Sequence, residues 1–324
     1  MIKQVLRSLC ESRRAVVASH ENPDGDAIGS LLAIGLALEM RFKEVTFFNP
    51  SPIPAVYRFL PAVGRITSEI DTENAFDTAV VLDCGNLERL GPAAARIRQI
   101  PVVVNIDHHV TNTGFGTVRL VDSGACATAE LVYRLLVRMK TPIDKELATL
   151  IYTGILTDTG SFRFENTSQN AFAICHEMAR RGVRPHEVAR HVYGTYSLGR
   201  IKLLNLALDS IEITSDGKLS MMTVTRAMLR QTGTQPEDAD GMIHYARRIK
   251  AVRVAALIQE LQNGSAASGD RHRYHVSLRS DGSVDVAAFA LCHGGGGHKN
   301  AAGFRIEAPL FEVKHKIAQL AQYM

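Results

Sequence analysis

At 324 residues the chain is long enough for two domains of ordinary size, and its 46% hydrophobic and 22% charged residues are those of a soluble globular protein. The N-terminal "MIKQVLRSLCESRR" lacks the sustained apolar core of a secretory signal, the longest apolar run (27–40) is too short to span a bilayer, and five cysteines without a C-x-x-C pair exclude a zinc ribbon and argue against a disulfide framework. The expectation is a cytoplasmic protein with no membrane partner. The net charge of +4 is unevenly spread: from His244 to Ile306 nine Lys/Arg face four Asp/Glu, leaving that segment at +5 and the rest near −1. Such a split suits an anionic ligand, although a solvated basic face would produce the same count.

Along the first half, "RAVVAS" (14–19), "VTFFN" (45–49), "TAVVLD" (78–83) and "VVVNID" (102–107) read as short strands buried on both faces. "DAIGSLLAIGLALEM" and "LGPAAARIRQ" lie between them as helices, the second with Pro near its start. This βαβα order predicts an α/β fold with a parallel sheet and helices on both faces. From Ala127 to about Ile211 the pattern is helical: "ATAELVYRLLVRMK", "DKELATLIYTGILTD", "SQNAFAICHEMARRG" and "RIKLLNLALDSI", the last bridging to a second domain. Strands return at "KLSMMTV", "RVAALIQEL" and "RYHVSLRS", with "ADGMIHYARRI" and "SVDVAAFALCH" as helices and "NGSAASGD" (263–270) as a polar loop.

The polar residues that interrupt this pattern fall at strand ends. "SHENPDGDAIGS" packs His20, Asp24 and Asp26 around a Pro-Asp-Gly turn after the first strand. An ordinary turn that caps a helix would use the same residues. However, Asp83 follows the third strand, Asp107, His108 and His109 follow the fourth, and Asp158 ends an apolar helical stretch. A parallel sheet gathers such positions beyond the carboxyl ends of its strands. So many carboxylates would repel one another without a cation, and imidazole with carboxylate favours Mn²⁺, Fe²⁺ or Zn²⁺. One carboxylate bridging two ions about 3.5–4 Å apart is the arrangement used for in-line displacement at phosphorus. Cys84, beside Asp83, reads as a small buried residue at a strand end rather than a reactive thiol.

Near the other end, "CHGGGGHKNAAGF" (292–304) fits neither a P-loop nor G-x-G-x-x-G. The expectation is a loop whose bare backbone and His298 approach an anion, with Arg279 supplied from an adjacent strand.

Taken together, "HENPDGDAIGS", "VVLDCGNLERLG", "NIDHHVTN" and "GILTDTGSFRF" resemble the four signature motifs of the DHH phosphoesterases, in their order, and "GGGGHKNAAGF" resembles the DHHA1 substrate-binding module that accompanies one subfamily. The resemblance runs from about Val16 to Phe304. It implies a DHH metal-binding catalytic domain over 1–195, a linker helix over 196–212 and a smaller α/β DHHA1 substrate-binding domain over 213–324, with the active site in the cleft between them. Carried over residue by residue, it gives one metal to His20, Asp24 and Asp83 and a second to Asp26, Asp83, His108 and Asp158, with Mn²⁺ the usual ion. Asp107 would orient a ligating imidazole, and His109 would contact the scissile phosphate or assist the leaving oxygen. Arg279, Gly295, Gly296, Gly297 and His298 would hold the nucleotide portion, with Arg163 nearby.

In size and module content the chain resembles the members that act as nano-RNases and as phosphatases of 3′-phosphoadenosine 5′-phosphate (pAp). The implied activity is cleavage of very short RNA or DNA oligonucleotides to 5′-mononucleotides, and of pAp to AMP and phosphate, by a monomer or homodimer. The alternative within the family is a phosphodiesterase of cyclic or linear dinucleotides. A RecJ-like exonuclease would need a further nucleic-acid-binding domain, and a family II pyrophosphatase carries a different second module. A non-catalytic nucleotide- or RNA-binding protein would be free to lose Asp83 or Asp158, and both are present.

Overall fold

The β-branched strands of the first half do pair side by side. The computed structural model describes residues 2–41, 43–70, 75–194, 196–261 and 272–320, and the chain divides into two compact units, Met1–Thr195 and Tyr196–Met324.

In the first unit, α1 (Ile2–Glu11) leads into β1 (Arg14–Ser19), α2 (Gly25–Glu39) and β2 (Glu44–Phe48). Next come β3 (Thr78–Leu82), a one-turn α3 (Ala94–Ile97), β4 (Val102–Asp107) and β5 (Val118–Val121). The helices α4 (Thr128–Arg138), α5 (Lys145–Asp158), α6 (Gln169–Arg180) and α7 (Pro185–Tyr193) complete it. All five strands are parallel, in the order β2-β1-β3-β4-β5. Successive side chains of a strand point to opposite faces. Val17, Val80, Leu82, Val104 and Ile106 therefore join a large core with α2, α4 and α5. Val16, Ala18, Ala79, Val81 and Val103 face the other way, onto Leu87, Leu90 and Ile97.

The sequence promised a regular helix over 90–99 on that second face. Instead a 3-10 stretch, Leu87–Ala93, is broken at Gly91 (φ 60°, ψ −141°) before α3 begins. Pro92 disfavours a helical conformation at the residue before it, and Gly91 takes up the kink. α1, β5 and α7 were not anticipated.

Packing of α2 on α5 places two motifs together. A Cβ on Gly29 would lie 2.5 Å from Leu150 O, and one on Gly25 would lie 2.6 Å from Thr157 Oγ1. The two helices run antiparallel at backbone contact, so the C-terminal end of α5, with Asp158, reaches the N-terminal end of α2, with Asp24 and Asp26.

The second unit starts with α8 (Leu198–Asp209), β6 (Glu212–Ile213), β7 (Leu219–Val224), α9 (Arg226–Thr232), α10 (Ile243–Arg247) and β8 (Val254–Glu260). It continues with β9 (His272–Ser280), α11 (Val286–Cys292), β10 (Gly296–His298), β11 (Ala301–Ala308) and α12 (Leu310–Ala318). Its six-stranded sheet has the order β10-β11-β9-β8-β7-β6, antiparallel except between β7 and β8. The helix expected over 239–249 shortens to the five residues of α10, after a 3-10 turn at Pro236–Ala239. The glycine run does not form a loop: part of it is strand β10, hairpinned onto β11. The expected loop "NGSAASGD" lies outside the described residues. Among the described residues no helix is long and apolar enough to cross a membrane.

Candidate metal centre and anion-binding face

The strand order of the first unit reverses between β1 and β3, where open parallel sheets leave a crevice at the strand ends. His20 follows β1 and Asp83 follows β3, so these two emerge side by side, with His20 Nε2 3.6 Å from Asp83 Oδ2. Asp83 has φ 53°, in the left-handed region that aspartate enters more readily than bulkier residues. Strain of this kind, about 1 kcal/mol or more, is characteristic of functional turns.

Three overlapping trios of ligand atoms converge here: His20, Asp24 and Asp83; Asp83, His108 and His109; and Asp26, His108 and Asp158, each with its atoms within 4.8 Å of one another. Asp83 belongs to two trios and His108 to two. His108 Nε2 lies 3.7 Å from Asp83 Oδ1 and 3.5 Å from Asp158 Oδ2, while its Nδ1 is 3.3 Å from Ala125 O. A hydrogen on Nδ1 shared with that carbonyl leaves Nε2 as the nitrogen facing the carboxylates.

The carboxylates are held by backbone as much as by side chains. Asp24 is the N-cap of α2, its Oδ1 accepting from the N–H groups of Asp26 and Ala27, both at 3.0 Å. Asp26 is fully buried and accepts from Thr128 N–H at 2.6 Å, Ala129 N–H at 2.8 Å and Ser30 Oγ at 3.1 Å. The first two belong to the N-terminal turn of α4, whose dipole favours a negative charge. Thr128 also donates its hydroxyl to Asp83 Oδ1 at 2.9 Å, linking both carboxylates through one residue. Gly154 on α5 makes room for this, since a Cβ there would lie 2.7 Å from Asp26 Oδ1.

Charge is concentrated beyond what the protein neutralises. Burial raises the pKa of Asp26, and Asp83, Asp158 and Asp24 raise it further. Burial, with Asp24 and Asp83 adding and His108 opposing, pushes Asp158 up to about 7. Burial would raise Asp83 too, but the imidazoles of His20, His109 and His108 outweigh it and hold this carboxyl well below its ordinary range. A cation bound among these oxygens would remove the mutual repulsion, and the donor set of carboxylate oxygen and imidazole nitrogen suits a divalent ion.

Asp107 does not orient an expected metal ligand. Its Oδ1 lies 2.7 Å from His109 Nδ1, and Asn112 Nδ2 donates to its Oδ2 at 2.5 Å. Burial would lower the His109 pKa, but Asp107 and Asp83 carry it up to about 9. Cys84 is buried, its Sγ donates to Asn86 O at 3.0 Å, and burial pushes its thiol up to about 12. Arg163 is exposed in the turn after Asp158, its Nε donating to Gly160 O at 2.5 Å. Ser161 and Phe162 in that turn both have φ 61°.

In the second unit, Arg279 on β9 stands opposite Ala255 on β8 and Ala301 on β11, and Ala301 stands opposite His298 on β10. Opposed residues share a face, so Arg279, Ala301 and His298 form one row, with Ser277, Gly303 and Gly296 in the next. Burial and the neighbouring Arg247 both lower the Arg279 pKa, with Asp240 opposing. Gly295 and Gly297 belong elsewhere. A Cβ on Gly295 would meet Gly303 O at 2.1 Å and one on Gly297 would meet Ala301 O at 2.4 Å, so both are needed for packing.

The sequence reading did not single out Thr128, Ser30, Asn112 or Asn166. Asn166 Nδ2 donates to Asp158 Oδ2 at 3.2 Å. A signal for Thr128 and Asn112 was present: a hydroxyl at the start of an amphipathic helix, and an amide three residues after the two histidines.

Comparison with known proteins follows the same division. Residues 14–155 match the model of the DHH family N-terminal domain, and residues 220–323 match the DHHA1 domain. A Thermus thermophilus protein named bifunctional oligoribonuclease and PAP phosphatase is 32% identical over 306 residues, 92% of this chain and 87% of that one. A Bacillus subtilis protein of the same name is 25% identical over 94% of this chain and 93% of its own length. Among solved structures, an exopolyphosphatase-related protein from Bacteroides fragilis superimposes with a TM-score of 0.89 at 27% identity, covering 99% of this chain and 96% of that one. This chain belongs to the DHH family of phosphoesterases, in the branch that carries a DHHA1 domain.

Proposed function

We propose that the protein hydrolyses very short oligonucleotides to 5′-mononucleotides, and pAp to AMP and phosphate, using two divalent ions, preferably Mn²⁺. The observation that carries this reading is the shared position of Asp83 between trios of ligand atoms. His20, Asp24 and Asp83 would hold one ion, and Asp26, Asp83, His108 and Asp158 the other. Such a pair, when bound, supplies a nucleophile at neutral pH and neutralises charge on the phosphoryl and leaving oxygens.

The chain's own groups do the rest. His109, held through Nδ1 by Asp107 and cationic near neutrality, binds the scissile phosphoryl group and gives its proton to the departing oxygen. Asp107 orients that ring and keeps the hydrogen on Nδ1 when the other nitrogen has given up its proton. In the second unit, Arg279 and His298 bind the anionic part of the nucleotide over the bare backbone of Gly296 and Gly303. The names of the Thermus and Bacillus relatives support this substrate class.

The test is product analysis with purified protein, Mn²⁺ and three substrates: a 5′-phosphorylated RNA dinucleotide, pAp and cyclic di-AMP, with chelator controls. Metal-dependent release of mononucleotide from the first and of phosphate from the second is expected. Exclusive turnover of the cyclic compound would replace this reading with the cyclic-dinucleotide one.

A further inference from the structure

We propose that Arg89 binds a phosphoryl oxygen of the substrate beside the carboxylate–histidine cluster, an inference that rests on the phosphoesterase reading above. Arg89 lies in the 3-10 stretch Leu87–Ala93 that follows β3. Its carbonyl accepts the Glu21 N–H at 2.8 Å, which ties this stretch to the turn after His20. Its side chain then comes back over the His20 ring, with Nη2 3.0 Å from Nδ1.

That contact is not a hydrogen bond in the tautomer the site requires. His20 Nδ1 is also 2.7 Å from Glu21 O. Two acceptors do not approach so closely, so Nδ1 carries a hydrogen and donates it to the carbonyl. The same tautomer leaves Nε2, the nitrogen nearest Asp83, as the electron-pair donor. The Arg89 amino group therefore faces a donor. The guanidinium is half-buried and forms no ion pair among the described residues, although four aspartates lie in the neighbouring cluster.

Beyond the His20 ring, Nε2 is 3.6 Å from Asp83 Oδ2, so the guanidinium stands on the His20 side of the cluster. A partly desolvated guanidinium with no carboxylate partner among the described residues has N–H groups to offer at such a position, and its planar fork suits a phosphoryl group. Arg89 would then bind the substrate from the His20 side, while His109 addresses the leaving oxygen.

The experiment is calorimetric titration of Mn²⁺-loaded wild type, Arg89→Ala and Arg89→Lys with inorganic phosphate, alongside Mn²⁺ titration of each and kcat and KM on a dinucleotide. The expected result is a loss of phosphate affinity and a rise in KM on the order of 10- to 100-fold for Arg89→Ala. Arg89→Lys should recover part of it, and Mn²⁺ affinity should be unchanged in both. Equal phosphate affinity in wild type and Arg89→Ala overturns the proposal. So does loss of Mn²⁺ affinity in both variants, which would assign Arg89 to the orientation of His20. Phosphate binding does not depend on turnover. A wild type that binds phosphate through Arg89 but cleaves no substrate would count against the proposed activity instead.

Discussion

The two units present opposite solutions to holding charge. In the first, negative groups are fixed by backbone: buried Asp26 rests on two N–H groups of α4, and Asp24 caps α2. In the second, a positive group is half-buried among small residues of the sheet, where Arg279 has Ala255 and Ala301 for cross-strand neighbours. Chemistry at phosphorus needs ligand positions fixed to fractions of an ångström, and backbone donors provide that. Recognition of a nucleotide needs a surface with room for it, which alanine and glycine leave.

Substitutions should separate these roles, and the largest effect belongs to Asp83. Asp83→Ala removes a ligand shared by both proposed ions, and turnover on every substrate should vanish. Wild-type activity in that variant would end the bridging assignment. Next comes Thr128, whose hydroxyl holds Asp83 and whose N–H holds Asp26. Thr128→Val keeps the shape and the N–H but loses the hydroxyl, and Mn²⁺ affinity measured by calorimetry should fall about 10–100-fold. Thr128→Ser should restore it, and equal affinity in all three proteins would show the hydroxyl to be incidental. A smaller and different change is expected in the second unit. Arg279→Ala should raise KM for nucleotides by about tenfold or more while leaving Mn²⁺ affinity alone. A fall in kcat at constant KM would move Arg279 out of substrate binding.

The same contrast explains what could be read in advance. Strand-end residues were legible because a parallel sheet gathers them whatever their separation in sequence, so His20, Asp83 and His108 were found together from pattern and motif. Asp158 was legible as the end of an apolar helical stretch and as a motif residue, but no sheet rule places it, since its position depends on the glycine-mediated contact of α2 with α5. What periodicity did not reveal was the partner of each group. Asp107 holds His109 rather than a proposed ligand because two residues along the chain the ring swings back onto it. Thr128 is 45 residues from Asp83 and 102 from Asp26 in sequence, and no local rule connects them. The glycine run misled for a related reason. Four glycines in a row suggest a loop, but antiparallel pairing with β11 makes two of them structural and leaves Gly296 on the Arg279 face.

That last division gives the finest test. Gly297 has φ 142°, and a Cβ there would lie 2.4 Å from Ala301 O and 2.6 Å from Ala302 Cα. Both atoms are backbone and cannot swing aside, so Gly297→Ala should destabilise the protein by about 1–3 kcal/mol, read as a lower midpoint in urea. Gly296 has ordinary backbone angles and no atom within 4 Å of its Cβ position. Gly296→Ala should therefore leave stability within about 0.5 kcal/mol, while its methyl, placed on the face that carries Arg279 and His298, should raise KM severalfold. If both variants lost stability equally, the hairpin register would be wrong. If Gly296→Ala altered neither stability nor KM, the nucleotide would bind away from this face.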